Sequence, residues 1–106
     1  MTDPYRAERE ALINAVTAGE GDLASALRRA ILDRARRLPT PTPIPSKLAS
    51  FVDLVAEHAS SIDDANVDAL RSEWAEEAIF ETIVATAVGA SLVRLERVDA
   101  LLTPKS

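Results

Sequence analysis

Apolar residues recur every three or four positions along most of the chain, which is the period of an amphipathic α-helix, and no segment alternates as a strand would. Asp3 and Pro4 form an N-cap and first-turn pair that predicts the start of a first helix. Gly19 and Gly21 end it, and Asp22 is placed to cap a second helix. The apolar positions of these two predicted helices are Tyr5, Leu12, Ile13, Val16, Leu23, Leu27, Ile31 and Leu38.

Residues 39–45 carry a proline at every odd position and predict a break between helices. Each proline fixes its own φ and disfavours the α region for the residue before it, so the segment should be extended polyproline-II chain. At about 3.1 Å per residue we expect a stiff internal connector roughly 20 Å long. A docking peptide for an aromatic groove is the functional alternative.

The helical period returns at Ser46 and continues almost to the end of the chain. A third helix presents one broad apolar face, and a short fourth helix follows a cap at Asp63 and Asp64. The last predicted helix runs from about Ala75 to Leu102. The apolar face of the third helix consists of Leu48, Phe51, Val52, Val55, His58 and Ala59. The chain is therefore predicted to be one all-α domain over residues 1–106, with about five helices and the last of them central.

The last predicted helix carries no charge between Glu81 and Arg94, which is typical of a helix buried on all sides. A chain this short has little surface of its own to bury it, so we expect a homo-oligomer. Gly89 allows a neighbouring helix to approach closely. The uncharged run, residues 82–93, is shorter than the roughly 20 residues that cross a bilayer. Since the N-terminus has no leader-like pattern, we expect a cytoplasmic protein without membrane contact.

Composition removes several kinds of chemistry. The chain has no cysteine, which excludes disulfides, iron–sulfur clusters, zinc–thiolate sites and thiol redox catalysis by its own residues. With one histidine and no paired metal motif, we expect no metal and no other cofactor. The arginines of residues 28–37 are distributed around their helix and are interpreted as a solvated face at its C-terminal end. Because the net charge is −5, nucleic acid is not an expected partner.

Two side chains are candidate site residues because each is placed on a predicted apolar face. His58 is either a general base, since an imidazole changes its protonation state near neutral pH, or a core histidine bonded to a carbonyl or carboxylate. Arg94 lies near the middle of the apolar stripe of the last helix. There it is either half of a buried ion pair, with Glu81 or Asp53, or a clamp for a substrate carboxylate.

Residues 48–102 resemble the alkylhydroperoxidase D and carboxymuconolactone decarboxylase-like superfamily of small helical proteins. The resemblance rests on the stretch from Asp64 to Leu70, on the stretch from Trp74 to Glu81, and on the alanine- and valine-rich run that ends at Leu95. It implies a helical bundle of that family's type with the long C-terminal helix at its centre. It also implies assembly as a trimer or hexamer.

The redox signature of that family is two cysteines three positions apart, with a histidine four residues after the second. Aligned on this chain, the histidine falls on His58 and the cysteines fall on Phe51 and Leu54, which carry no sulfur. The family's upstream glutamate falls near Pro39, where there is no acid. The resemblance thus implies a member without peroxidase activity, in which Phe51 and Leu54 either fill the old site or line an apolar ligand pocket beside His58.

Two functional hypotheses are consistent with these residues. The first is an oligomeric scaffold or protein-interaction domain that has lost the redox activity. The alternative is a cofactor-free acid/base enzyme, similar in logic to the decarboxylase branch, in which His58 moves a proton and Arg94 holds a small acidic substrate. The alternative requires His58 and Arg94 to share one solvent-reachable cavity.

Overall fold

The computed structural model describes residues 5–102, and every regular element in that range is helical. The helices are α1 (Arg6–Thr17), α2 (Ser25–Ala35), α3 (Ser46–His58), α4 (Asp64–Arg71) and α5 (Glu76–Leu102), with one 3₁₀ turn at Ala59–Ser61. The predicted all-α class, the five helices and the long last helix are confirmed. The predicted start of the first helix at Asp3 and Pro4 lies outside the described residues.

α5 is the central element, because each of the other four helices packs against it. Thr82 and Thr86 are fully buried on its inner side, and each hydroxyl donates a hydrogen bond to the carbonyl four residues earlier, at 2.8 and 2.7 Å. The large apolar core residues are Ile13, Leu23, Ile31, Leu32, Leu48, Phe51, Val52, Val55, Leu70, Ile79 and Leu92. One hydrophobic core thus joins all five helices.

α2 crosses α5 at Gly89. A Cβ atom added to Gly89 would lie 2.5 Å from the carbonyl oxygen of Leu32 and 2.8 Å from Cβ of Ala35. The two backbones can approach this closely only because the residue has no side chain. The predicted role of Gly89 in close helix contact is confirmed, and the neighbouring helix is α2.

The helix caps agree with the sequence at α4 and differ at α2. Asp63 caps α4 by accepting the N–H of Asn66 at 3.0 Å, and the Asn66 side chain accepts the N–H of Asp63 at 2.8 Å. The expected cap by Asp22 is wrong, because α2 begins only at Ser25 and no side chain caps it. The carboxylate of Glu81 binds the N–H of Asp22 at 2.9 Å, which commits that residue to the preceding loop.

α5 is not buried on all sides within one chain, which corrects the expectation drawn from its uncharged run. Ala87 and Ser91 are exposed, and Leu92 is the last buried residue of the helix. Every side chain from residue 94 to residue 102 is exposed. Some residues of the uncharged run, such as Thr82 and Leu92, therefore pack in the core, and others, such as Ala87 and Ser91, are exposed to solvent.

The proline segment 39–45 lies in the non-helical stretch between α2 and α3, and α3 begins directly after it. Ile44 packs against the core from this segment. Because α2 and α3 pack against each other and against α5, the connector joins two helices that share one side of the central helix.

Candidate functional site

A polar pocket of about 400 Å³ opens between α2, α3 and the C-terminal half of α5. His58 and Arg94 both line it. Its other lining residues are Arg34, Ala35, Arg37, Asp53, Ala56, Glu57, Ala90, Val93 and Arg97. The structure thus brings the two predicted polar site residues together at one solvent-reachable surface, called the polar pocket below.

His58 is exposed at the end of α3, and the expectation that it faces the core is wrong. Its backbone has φ −139° and ψ 50°, so the chain leaves helical geometry at this residue. Because the side-chain direction no longer follows the helical period there, the apolar face of α3 ends at Val55, the last buried residue of the helix.

Arg94 is also exposed, which corrects its predicted place on the buried stripe. It follows the buried Leu92 by two positions, about 200° around the helix, and so points away from the core. Neither expected partner binds it, because Glu81 pairs with Arg28 and Asp53 pairs with Arg34. Within residues 5–102, no carboxylate oxygen lies within ion-pair distance of Arg94.

Phe51 and Leu54, the two predicted apolar ligand contacts, do not line the polar pocket. Phe51 is buried in the core, and Leu54 is half-buried. The structure therefore separates them from the surface that carries His58. Over residues 5–102, no group of three or more histidine, aspartate or glutamate side chains is arranged to hold a metal ion.

Two ion pairs between α2 and α3 form one wall of the polar pocket. Arg34 donates to both carboxylate oxygens of Asp53, at 2.8 and 2.7 Å, and Arg37 donates to Glu57 at 2.9 Å. The hydrogen bond to Asp53 raises the pKa of Arg34 above its ordinary value. Each of these two arginines is therefore already bound by one acid.

Arg37 reaches the polar pocket from an uncommon backbone conformation. Its φ is +61°, in the left-handed region that glycine adopts readily and that other residues rarely adopt. It stands directly after the C-cap of α2, and the N–H groups of Arg37 and Leu38 bind the carbonyls of Arg34 and Asp33 at 2.9 Å each. These are the bonds of a Schellman motif, in which glycine is usual at this position. In this chain the residue at that position is an arginine.

Arg97 completes the polar pocket and was not singled out by the sequence. It lies three positions after Arg94 on α5, and residues at that spacing are neighbours on a helix surface. Among residues 5–102, Arg97 likewise has no carboxylate oxygen within ion-pair distance. The pocket therefore carries four arginines against two acids, in a chain whose net charge is −5.

An apolar groove of about 410 Å³ lies on a different surface, between α1 and the end of α5. Its exposed apolar residues are Tyr5, Leu12, Leu95, Val98 and Leu102. Leu92 closes it towards the core, and Glu8, Arg9 and Asp99 lie at its edges. The sequence did not predict this groove, because the residues that line its two sides are 80 or more positions apart in the chain.

The chain matches no protein-family model, no curated protein and no solved structure.

Proposed function

We propose that the protein is a self-associating helical scaffold in which a second copy of the chain covers the apolar groove. The observation that carries this proposal is the run of exposed aliphatic side chains along the last turns of α5. Leu95, Val98, Leu101 and Leu102 are 51–81% exposed. Such contiguous apolar surface on a soluble domain marks a site of interaction.

The end of α5 needs a partner for its own stability. Residues 94–102 extend the helix beyond Leu92, its last buried residue. Most of the stability of a helix in a protein comes from packing of its apolar face, and this end of α5 leaves that face exposed. Burying its aliphatic surface is worth roughly 25 cal/mol per Å². A partner on this face therefore stabilises the helix end and the assembly together.

A second copy of the chain suits the groove because the charges around it balance. Residues 94–102 carry two arginines and two acids, and so do residues 5–12 of α1. The chain as a whole has a net charge of −5. Two copies therefore repel each other through their overall charge, but each flank of the groove is close to neutral and presents both signs of charge to its partner.

A lipid bilayer is the other surface that an apolar helix can meet. By length and composition alone, α5 is the one helix within residues 5–102 that could cross a membrane, and 39% of the qualifying 18-residue window is buried within the chain. The exposed aliphatic side chains of residues 94–102, however, alternate with Arg94, Glu96, Arg97 and Asp99. Charged groups are costly inside a bilayer, so these surroundings favour a protein partner.

Two copies can cover each other by packing one α1–α5 pair against another around a two-fold axis. The four helices then form a bundle whose core is filled by the apolar groove residues of both copies. The resemblance implies a trimer or hexamer, and a hexamer with two-fold contacts would contain this arrangement. The finer fold assignment, an alkylhydroperoxidase D-like bundle without peroxidase activity, belongs to the same proposal. It is supported by the succession of a short α4 and a long central α5 over residues 64–102.

Light scattering after size-exclusion chromatography tests the self-association. At micromolar concentration we expect a molar mass of at least two chains of 11.4 kDa. Leu95→Glu places a charge in the groove of each copy and should weaken association by roughly a hundredfold or more, because a symmetric interface contains the substitution twice. The matched control is Leu38→Glu, at a leucine that is 44% exposed and lies outside the groove.

Leu38→Glu should retain the circular dichroism of the wild type, and Leu95→Glu should lose no more than the helical signal of residues 94–102, because both leucines are exposed and lie outside the core. A monomeric wild type contradicts the proposal, and so does an equal loss of association in the two variants. The absence of peroxidase activity has a separate test with an organic peroxide and a dithiol reductant. We expect no turnover above background, because the chain has no cysteine, and clear turnover would remove this part of the proposal.

The acid/base alternative is favoured by one observation, the presence of His58 and Arg94 in the same polar pocket. His58 is the one imidazole among the lining residues. Both carboxylates of the pocket are held by arginines. This composition is closer to that of an anion-binding site than to that of a two-group acid/base centre.

A further inference from the structure

We propose that the polar pocket binds a small doubly charged oxyanion, either a phosphate monoester or a dicarboxylate. This inference is independent of the self-association at the apolar groove, which lies on a different surface. It rests on the arginines of α5, on the backbone of Arg37 and on the space between the three helices.

The arginines of α5 are the available donors. Arg34 and Arg37 bind Asp53 and Glu57, whereas Arg94 and Arg97 have no carboxylate partner within residues 5–102. A guanidinium presents a planar fork of donors that matches the two oxygens of a carboxylate or phosphate. The two guanidinium groups on this face of α5 therefore provide the charge and the donor geometry to bind a dianion.

The dipole of α2 accounts for the presence of Arg34 in the pocket, but no helix dipole accounts for Arg94 and Arg97. Arg34 lies in the last turn of α2, where positive charge is favoured by the helix C-terminus. That effect falls off within one turn. Arg94 and Arg97 precede the last described residue of α5 by more than a turn, so the dipole of α5 does not account for them.

Arg37 contributes its guanidinium to the pocket from a backbone conformation that is unfavourable for residues other than glycine. A residue other than glycine is strained at φ +61°, and the Schellman position it occupies is one where glycine is common. Its ion pair with Glu57 is exposed and offsets this cost only in part. Backbone strain of this kind concentrates at binding sites.

The pocket has room for the ligand. Its volume of about 400 Å³ falls in the range of small-molecule sites, roughly 300–1,000 Å³. Three of its lining residues are alanines, Ala35, Ala56 and Ala90, whose short side chains leave space between the charged ones. Because the pocket is open to solvent, binding should exchange rapidly and weaken as salt is added.

The single histidine provides a direct reporter of binding. Its imidazole C–H signals can be assigned in a proton NMR spectrum without other labels. At fixed pH and low ionic strength, inorganic phosphate and, separately, succinate are titrated into the full chain, with chloride as the ionic-strength control. We expect the His58 signals to move to saturation with at least one dianion and to stay nearly unchanged with chloride. The relative affinities distinguish phosphate from dicarboxylate chemistry.

Arg94→Gln/Arg97→Gln tests the assignment of the donors. The double variant should weaken binding by about tenfold or more, because each charge-assisted hydrogen bond contributes roughly that factor. Arg29→Gln/Arg71→Gln is the matched control, since it removes the same charge from exposed arginines outside the pocket and should change affinity less than twofold. Saturable binding lost only in the first double variant supports the proposal. The absence of saturable binding by both dianions overturns it, as does equal weakening in the two double variants.

Discussion

The guanidinium of Arg28 and the carboxylate of Glu81, whose nearest atoms are 3.8 Å apart, bind the same loop between α1 and α2. Glu81 accepts the N–H groups of Asp22 and Leu23 at 2.9 and 3.1 Å. Arg28 is buried and donates to four carbonyl groups, those of Val16, Ala18, Gly19 and Leu23. Because Glu81 belongs to α5, this pair ties the loop to the central helix and compensates a buried positive charge.

Glu81→Gln should therefore destabilise the protein. The substitution removes the negative charge next to a buried guanidinium and keeps the size of the side chain. We expect the free energy of unfolding to fall by about 2–4 kcal/mol, since breaking one side of a buried ion pair leaves the other uncompensated. Urea unfolding at a fixed protein concentration measures the change. Fluorescence of Trp74, the only tryptophan, follows it because this residue packs against the core.

Glu77→Gln is the control for this substitution. Glu77 lies one turn earlier on α5 and is exposed, so the same chemical change should lower the free energy of unfolding by less than about 1 kcal/mol, the contribution of an acid in the first turn of a helix. Similar values for the two variants would show that the Arg28–Glu81 pair does not stabilise the fold.

Gly89→Ala tests the crossing of α2 and α5. Alanine is the better helix former, so an exposed helical glycine replaced by alanine gains about 1 kcal/mol. At Gly89 the added Cβ would lie 2.5 Å from the carbonyl oxygen of Leu32, which is backbone and cannot rotate away. We expect a net loss of about 1–3 kcal/mol. Ser91→Ala, on the exposed side of the same helix, should show no such loss, and a more stable Gly89→Ala variant would contradict the close crossing.

The sequence was sufficient to predict what depends on local periodicity and on backbone restriction. The prolines of residues 39–45 separate α2 from α3, Asp63 caps α4, and Gly89 marks a close helix contact. Each of these properties is set by the chain within a few residues of the position concerned. They could therefore be recognised without knowledge of the tertiary structure.

The positions of the candidate site residues depend on where the helices end and how they pack, and the helical period of the sequence does not specify either. His58 was placed on an inner face because the period was extended to the residue at which the backbone leaves the helix. Arg94 is assigned to the core by extending the apolar stripe of the last helix past Leu92, which is the last buried residue of α5. The true partner of Glu81 is Arg28, and that pairing depends on how α2 packs against α5. Long-range packing of this kind is not encoded in a local pattern.

Arg34→Met tests the ion pair between α2 and α3. The hydrogen bond to Asp53 raises the pKa of Arg34, so its contribution is complete below the ordinary pKa of arginine and is lost only as pH rises through the higher folded-state value. The pair is partly exposed and should contribute less than about 1 kcal/mol. We expect the difference in unfolding free energy between wild type and variant to stay constant from neutral pH to a pH of about 10. A difference that shrinks with rising pH over this range would contradict the assignment.

Arg37→Gly should increase stability and reduce anion binding in the same molecule. Glycine adopts φ +61° without a steric penalty, so the variant should gain about 1 kcal/mol in the free energy of unfolding, less the small contribution of the exposed pair with Glu57. Arg37→Ala is the matched variant, because it removes the same guanidinium but retains a Cβ in the left-handed conformation. Both variants should weaken phosphate binding, measured by the His58 signals, and only Arg37→Gly should be more stable than the wild type. If Arg37→Gly were less stable than Arg37→Ala, the Schellman geometry would not strain this residue. If both bound phosphate as tightly as the wild type, the strain would have no connection with the polar pocket.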